Sequence, residues 1–199
     1  GDHRDLHAFP TRRSSDLHRP AFRLAGILVA LFLLQACGPN RYTTLRSVDQ
    51  KLKAAEQLEL KEDYDAAWTQ LDAAEKEAAE IDWTDGVVMA MNSKGQLLIT
   101  QRKFADAEKQ LTTSAEVCEQ APSCSGLGVS YRWLGFVYVY HLRSPEKVRE
   151  LVDRVFVHRS RLAEEDTANT LINEFAAGLR AQGFEAEAKE IESRIHSRK

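Results

Sequence analysis

The sequence predicts an all-α fold made of about four stacked helix–turn–helix units, and three observations carry that expectation. Residues of one kind recur at a spacing of forty: Leu71, Leu111, Leu151 and Ile191 align without a gap, as do Tyr64, Phe104, Ser144 and Phe184, the third of these polar. Two shorter columns accompany them. Leu58, Leu98 and Tyr138 form one that fails at Gly178, and Ala55, Gly95 and Gly135 form one that fails at Phe175. Self-similarity of this period marks a repeat architecture, in which each unit buries its apolar face against the next. Apolar residues within the units follow the i, i+3, i+4, i+7 spacing of amphipathic helices. No run alternates apolar and polar residues as a half-buried strand would.

Taken in chain order, residues 1–17 carry no fold expectation. The run His7-Ala8-Phe9-Pro10-Thr11-Arg12-Arg13-Ser14-Ser15-Asp16-Leu17 resembles the translation of a common short-read sequencing adapter, departing from it at Ala8, where Ser is expected. A flexible basic leader is the other reading. The methionines are Met89 and Met91, and the genuine start is expected to be missing.

Residues 18–36 read as an export signal. Arg19 and Arg23 precede eleven apolar residues, Leu24 to Leu34, the proportions of a signal-peptide core. At about 1.5 Å per residue such a helix crosses roughly half of a bilayer's hydrocarbon layer, too little for a comfortable permanent span. Leu34-Gln35-Ala36-Cys37 then resembles a lipobox. That resemblance implies a bacterial lipoprotein with Cys37 as the lipidated first residue, and Gly38 leans the sorting toward the outer membrane, facing the periplasm. A thiol suits the position because its thioether can carry acyl chains, each buried methylene contributing about 0.8 kcal/mol. An incidental Cys beside an ordinary membrane anchor is the alternative. Residues 37–47, with Gly38, Pro39 and Asn40, read as a lipidated tether.

From residue 48 to 199 the units begin. In the first, Leu52, Ala55 and Leu58 share a face, a turn falls near Glu62-Asp63, and Ala67, Leu71 and Ala74 share the next face. The second has Met91, Gly95 and Leu98, a break at Arg102-Lys103, then Ala107, Leu111 and Ala115. In the third, Ser144 and Pro145 are cap and first-turn residue of the second helix. In the fourth, Gly183 separates Leu179 from Ala188.

These pairs resemble the tetratricopeptide repeat. Asp63-Tyr64-Asp65-Ala66-Ala67 and Lys103-Phe104-Ala105-Asp106-Ala107 carry the resemblance, with Gly95 and Gly135 as small residues at helix crossings and Gly183-Phe184-Glu185-Ala186-Glu187-Ala188 as a looser copy. It implies a right-handed solenoid whose first helices line a concave, protein-binding groove. The period of forty exceeds the family's ~34, the end-of-unit proline is absent after the first and fourth units, and the third unit lacks its aromatic and its alanine. A more general helical solenoid and a plain helical bundle stay open.

Charge narrows the function classes. The chain has 27 Lys and Arg against 30 Asp and Glu; five of these bases and three of the acids precede Cys37, leaving 22 against 27, a formal charge of −5. Nucleic-acid binders rely on clustered cations, so no nucleic acid is expected. Three of the six histidines (His3, His7 and His18) lie in the leader, and the others, His141, His158 and His196, form no i, i+4 ligand pair. No phosphate-cradling glycine loop is present, and no cofactor is expected. Cys118 and Cys124 bracket a five-residue loop, and in an exported protein that spacing suggests a structural disulfide worth about 2 kcal/mol; two unpaired thiols are the alternative. The segment Tyr131 to Tyr140 is apolar on nearly every side, which means either central burial or a sticky face.

Carried over by position, the tetratricopeptide resemblance points Met89, Asn92 and Gln96 of the second unit, and Arg132, Phe136 and Tyr140 of the third, into a partner-binding groove. The expectation is a non-enzymatic, lipid-anchored scaffold of the cell envelope that holds a protein or peptide. The alternatives are a domain that binds or cleaves peptidoglycan, which would need a cleft carboxylate of raised pKa, and a homodimer formed through the aromatic helix.

Overall fold

A computed structural model describes residues 41–162 and 167–197, with side chains through residue 195. The adapter-like run, the export signal, Cys37 and the first residues of the tether lie outside the described residues. Eight α-helices follow one another: α1 Arg41–Glu59, α2 Tyr64–Glu80, α3 Thr84–Thr100, α4 Phe104–Gln120, α5 Leu127–Phe136, α6 Pro145–Val157, α7 Thr167–Ala181 and α8 Glu185–Ser197. A π turn, Val137–His141, extends α5, and a short 3₁₀ turn, Arg159–Arg161, follows α6. The described residues contain no strand, and consecutive helices pack in pairs.

Helix α1 starts earlier than residue 48. The breaking residues stop at Asn40, after which Thr44, Val48, Leu52 and Ala55 already trace an apolar-facing stripe, with Thr44 and Val48 buried. Much of the expected tether, Arg41 to Ser47, is therefore helical.

One turn design recurs. At Glu62, Asp82, Arg102 and Gly183 the backbone enters the left-handed region, with φ of 61°, 53°, 59° and 88°. At each, the next N–H reaches back five residues and the turn residue's own N–H reaches back three: Asp63 N to Leu58 O and Glu62 N to Glu59 O, for example. This is the Schellman arrangement, which satisfies carbonyls that a helix end would orphan. Three of the four positions are not glycine, at a cost of about 1 kcal/mol each.

The π turn changes the register of the sequence repeat. It adds one residue before α6, so the left-handed or turn residues fall at Glu62, Arg102, Arg143 and Gly183 rather than every forty. The gapless column Tyr64, Phe104, Ser144, Phe184 therefore mixes positions: Tyr64 and Phe104 open their helices, whereas Ser144 caps α6 by accepting from Lys147 N. Val148 and Ala188, both fully buried, take the places of Ala67 and Ala107. The third unit has its buried small-to-medium residue after all, one step later.

The core is layered. Val48, Ala74, Ala78 and Ala90 form one small cluster, and Ala55, Ala67, Leu71 and Leu97 another, where α1 and α2 meet α3. A larger cluster runs from Val88 through α8, including Leu111, Tyr131, Leu134, Leu151, Leu171, Phe175 and Ile191. The same one-residue shift continues the column Ala55, Gly95, Gly135 at Ala176 and the column Leu58, Leu98, Tyr138 at Leu179, both fully buried, and beside them packs Phe175. A Cβ on Gly135 would lie within 3 Å of three atoms of its ring, so the ring occupies the space that glycine leaves.

Among the described residues, hydrogen bonds join ten pairs of residues 39 to 43 apart in sequence, including Thr100 and Glu59, Ser125 and Asp85, Arg132 and Glu174, Lys147 and Glu108, and Arg149 and Glu190. These bonds tie each helix pair to the next.

Candidate functional site

A groove of about 780 Å³ lies between α1 and α3 and reaches the start of α5. Its apolar lining comes from Leu52, Ala55 and Leu60 of the first helix region, Leu71 of α2, Met89 and Leu97 of α3, and Val129 of α5. Met89 and Val129 are 45% and 42% exposed. Glu56, Glu59 and Glu62 stand along the α1 side. The single basic residue among those lining it, Lys53, is held by Asp49 at 2.7 Å. Glu59 accepts from the Thr100 hydroxyl at 2.7 Å, across the groove.

Asn92 sits in the groove wall although its side chain is almost wholly buried, at 3% exposure. Its Oδ1 accepts from Ser114 Oγ at 2.9 Å and from Ser130 Oγ at 3.0 Å, and the two hydroxyls lie 3.2 Å apart. Both serines are fully buried. This three-way junction joins α3, α4 and α5 and fixes the amide of this groove-lining residue, leaving Nδ2 without a hydrogen-bond partner among the described residues.

The six residues expected to face a partner divide into two sets. Met89, Asn92 and Gln96 line the groove together. Arg132, Phe136 and Tyr140 do not line it. Arg132 is held by Glu174 of α7, Nε to Oε2 at 2.9 Å. Phe136 and Tyr140 are 36% and 44% exposed and belong to an aromatic shelf: Phe136 lies 5.2 Å from Tyr140, 5.8 Å from Trp133 and 5.1 Å from His141, which stacks on Phe104 at 4.0 Å. Burial, and then the charge of Arg102, hold the His141 imidazole below its ordinary pKa. The helix that looked apolar on every side is mostly core, with Tyr131, Leu134, Val137 and Val139 buried. The contribution of α1 was missed by sequence reasoning. The signal available was Leu60, an apolar residue at a helix end with 74% exposure, beside a stripe of glutamates three residues apart.

Beyond the groove, the α4–α5 loop is strongly braced. Cys118 and Cys124 are joined as a disulfide, Cα to Cα 5.4 Å. Arg161 donates to the carbonyls of Cys118, Glu119 and Ala121, capping the end of α4. Glu119 accepts from the Tyr131 phenol at 2.6 Å and from Arg154 Nε at 2.9 Å. Burial and the Glu119 carboxylate push the Tyr131 phenol well above its ordinary pKa. This cluster ties α4, α5 and α6 together. On α2 and α3, Lys94 is enclosed by Glu75 at 2.6 Å and by Asp72, over the Trp68 ring.

Among the described residues no group of His, Cys, Asp and Glu is arranged to hold a metal ion, and no helix is long and apolar enough to cross a membrane. Compared with protein-family models, curated proteins and solved structures, the chain finds no match.

Proposed function

We propose that this protein is a lipid-anchored scaffold of the bacterial cell envelope, tethered through Cys37, whose helical units form a right-handed, tetratricopeptide-like solenoid that holds a segment of another protein. One observation carries the reading: the groove between α1 and α3, with Met89, Asn92 and Gln96 in its wall and exposed apolar side chains in its lining. An apolar concavity with a few convergent polar groups is the usual form of a binding site. The repeated Schellman turns and the bonds between residues some forty apart support stacked units of one design. Rigid stacking is what lets such a scaffold hold a partner at little ordering cost.

Two experiments test the two halves. Fatty-acid labelling of the full chain behind a native leader is expected to mark the wild type and to fail with Cys37→Ser; label on both would remove the anchor. A photo-crosslinking residue at Ser93, in the groove, is expected to capture an envelope protein that the same residue at Glu150 on α6 does not. The capture is expected to disappear with Met89→Arg. Equal capture from both positions, or capture of glycan in place of protein, would overturn the scaffold reading, the latter in favour of a cell-wall-binding domain.

A further inference from the structure

We propose that the groove takes a cationic, amphipathic segment, with apolar side chains on its lining, Lys or Arg against Glu56, Glu59 and Glu62, and a backbone carbonyl on Asn92 Nδ2. The inference rests on the reading of the groove as a protein-binding site and adds the chemistry of the occupant. Three carboxylates line the α1 side, and the one cation among the lining residues is already tied to Asp49. Glu56 and Glu62 have no hydrogen-bond or ion-pair partner among the described residues for their side chains, and Glu59 meets only a hydroxyl. The groove therefore presents unpaired negative charge beside apolar surface, and charge complementarity selects a positive partner while repelling an acidic one.

Asn92 is independent of the glutamates and points to the same class of ligand. Its Oδ1 is consumed by two buried serines, so what it offers the groove is a donor. A donor set into the wall of an apolar groove fits a peptide carbonyl, and the carboxylates then read the side chains. From Lys53 to Glu62 the α1 side runs about 14 Å at 1.5 Å per residue, a length spanned by four or five extended residues at about 3.3 Å each. A short segment with two or three basic residues matches it.

The test uses the full chain in mild detergent and three fluorescein-labelled nine-residue peptides. They share their Leu and Gly positions and carry Lys, Gln or Glu elsewhere; binding is read by fluorescence anisotropy at low salt. The Lys peptide is expected to bind on the order of tenfold more tightly than the Gln peptide, and the Glu peptide more weakly still. Replacing Glu56 and Glu62 by Gln is expected to weaken the Lys peptide by about two- to fivefold per carboxylate. Replacing the exposed Glu116 and Glu150, outside the groove, by Gln is expected to leave it unchanged. Met89→Arg is expected to abolish binding.

Equal losses from both glutamate pairs would show diffuse attraction to an acidic protein and overturn the inference. If all three peptides bind alike and Met89→Arg displaces them, the groove binds protein but does not select charge; the inference falls and the scaffold reading stands. If the Lys peptide binds and Met89→Arg leaves it untouched, both fall.

Discussion

Replacing Gly135 by Ala is expected to destabilise the protein, although alanine is the better helix former. The new methyl would lie within 3 Å of three atoms of the Phe175 ring, across the α5–α7 contact. Phe175 is buried at 3% exposure in the large cluster and has little room to retreat. Overpacking a site of this kind costs about 1–3 kcal/mol, and the gain of alanine over glycine inside a helix returns about 0.5–1 kcal/mol. The net expectation is a loss of about 1–2 kcal/mol. For a repeat region of this size, 1 kcal/mol corresponds to about 2–4 °C in Tm, so the variant is expected to melt roughly 2–8 °C lower. Urea unfolding followed by circular dichroism measures it. Gly128→Ala is the control: its Cβ would find Thr167 Cγ2 at 3.4 Å and Leu162 Cδ2 at 3.9 Å, ordinary contacts, so no loss is expected and the gain of alanine in a helix, up to about 0.5–1 kcal/mol, is retained. Phe175→Leu is expected to relieve the clash, leaving the double variant more stable than the two single losses predict by about 1 kcal/mol. A Gly135→Ala protein as stable as the wild type, or strict additivity with Phe175→Leu, would refute the account of how the third and fourth units fit together.

The α4–α5 loop offers two linked tests. Reducing the Cys118–Cys124 bridge is expected to cost about 2 kcal/mol, the loop-closure value for so short a ring, read as a lower urea midpoint with dithiothreitol. Arg161→Met removes three carbonyl contacts at the same helix end, and is expected to cost about 1–2 kcal/mol and to couple with reduction rather than add to it. A midpoint indifferent to reductant would remove the bridge as a stabilising element. His141 makes stability depend on pH with a defined sign. Its folded-state pKa is lowered by burial and Arg102, so the unfolded chain takes the proton first. Its contribution is full above the ordinary imidazole value of 6.5 and shrinks as pH falls from there toward the lowered value. His141→Phe, which keeps an aromatic ring against Phe104, is expected to flatten stability against pH in that window; an unchanged slope would count against the imidazole as its source.

Most of the architecture was legible from the chain because it is set by local spacing. The i, i+3, i+4, i+7 pattern chooses helices, Ser144-Pro145 starts one, and Gly183 ends one. The start of α1 was legible too, in Thr44, Val48 and Leu52, but the glycine and proline before it drew the boundary too late. What spacing cannot reveal is a residue inserted without a break in the pattern. The π turn at Val137–His141 does that: its residues read as ordinary apolar helix, and only the packed backbone shows that the later positions shift by one. The columns that fail at Phe175 and Gly178 have the same cause, since a shift of one brings the buried Ala176 and Leu179 into their places, and a gapless comparison sees only a mismatch. The groove divides along the same line. Sequence position brought Met89, Asn92 and Gln96 to one face, because residues three, four and seven apart on a helix must share it. Whether that face is covered depends on its neighbours. Tertiary packing set α1 beside it with Glu56, Glu59 and Glu62, fixed Asn92 by two buried serines from other helices, and placed Arg132, Phe136 and Tyr140 elsewhere. Local periodicity determines which residues travel together, and only long-range contact decides what they meet.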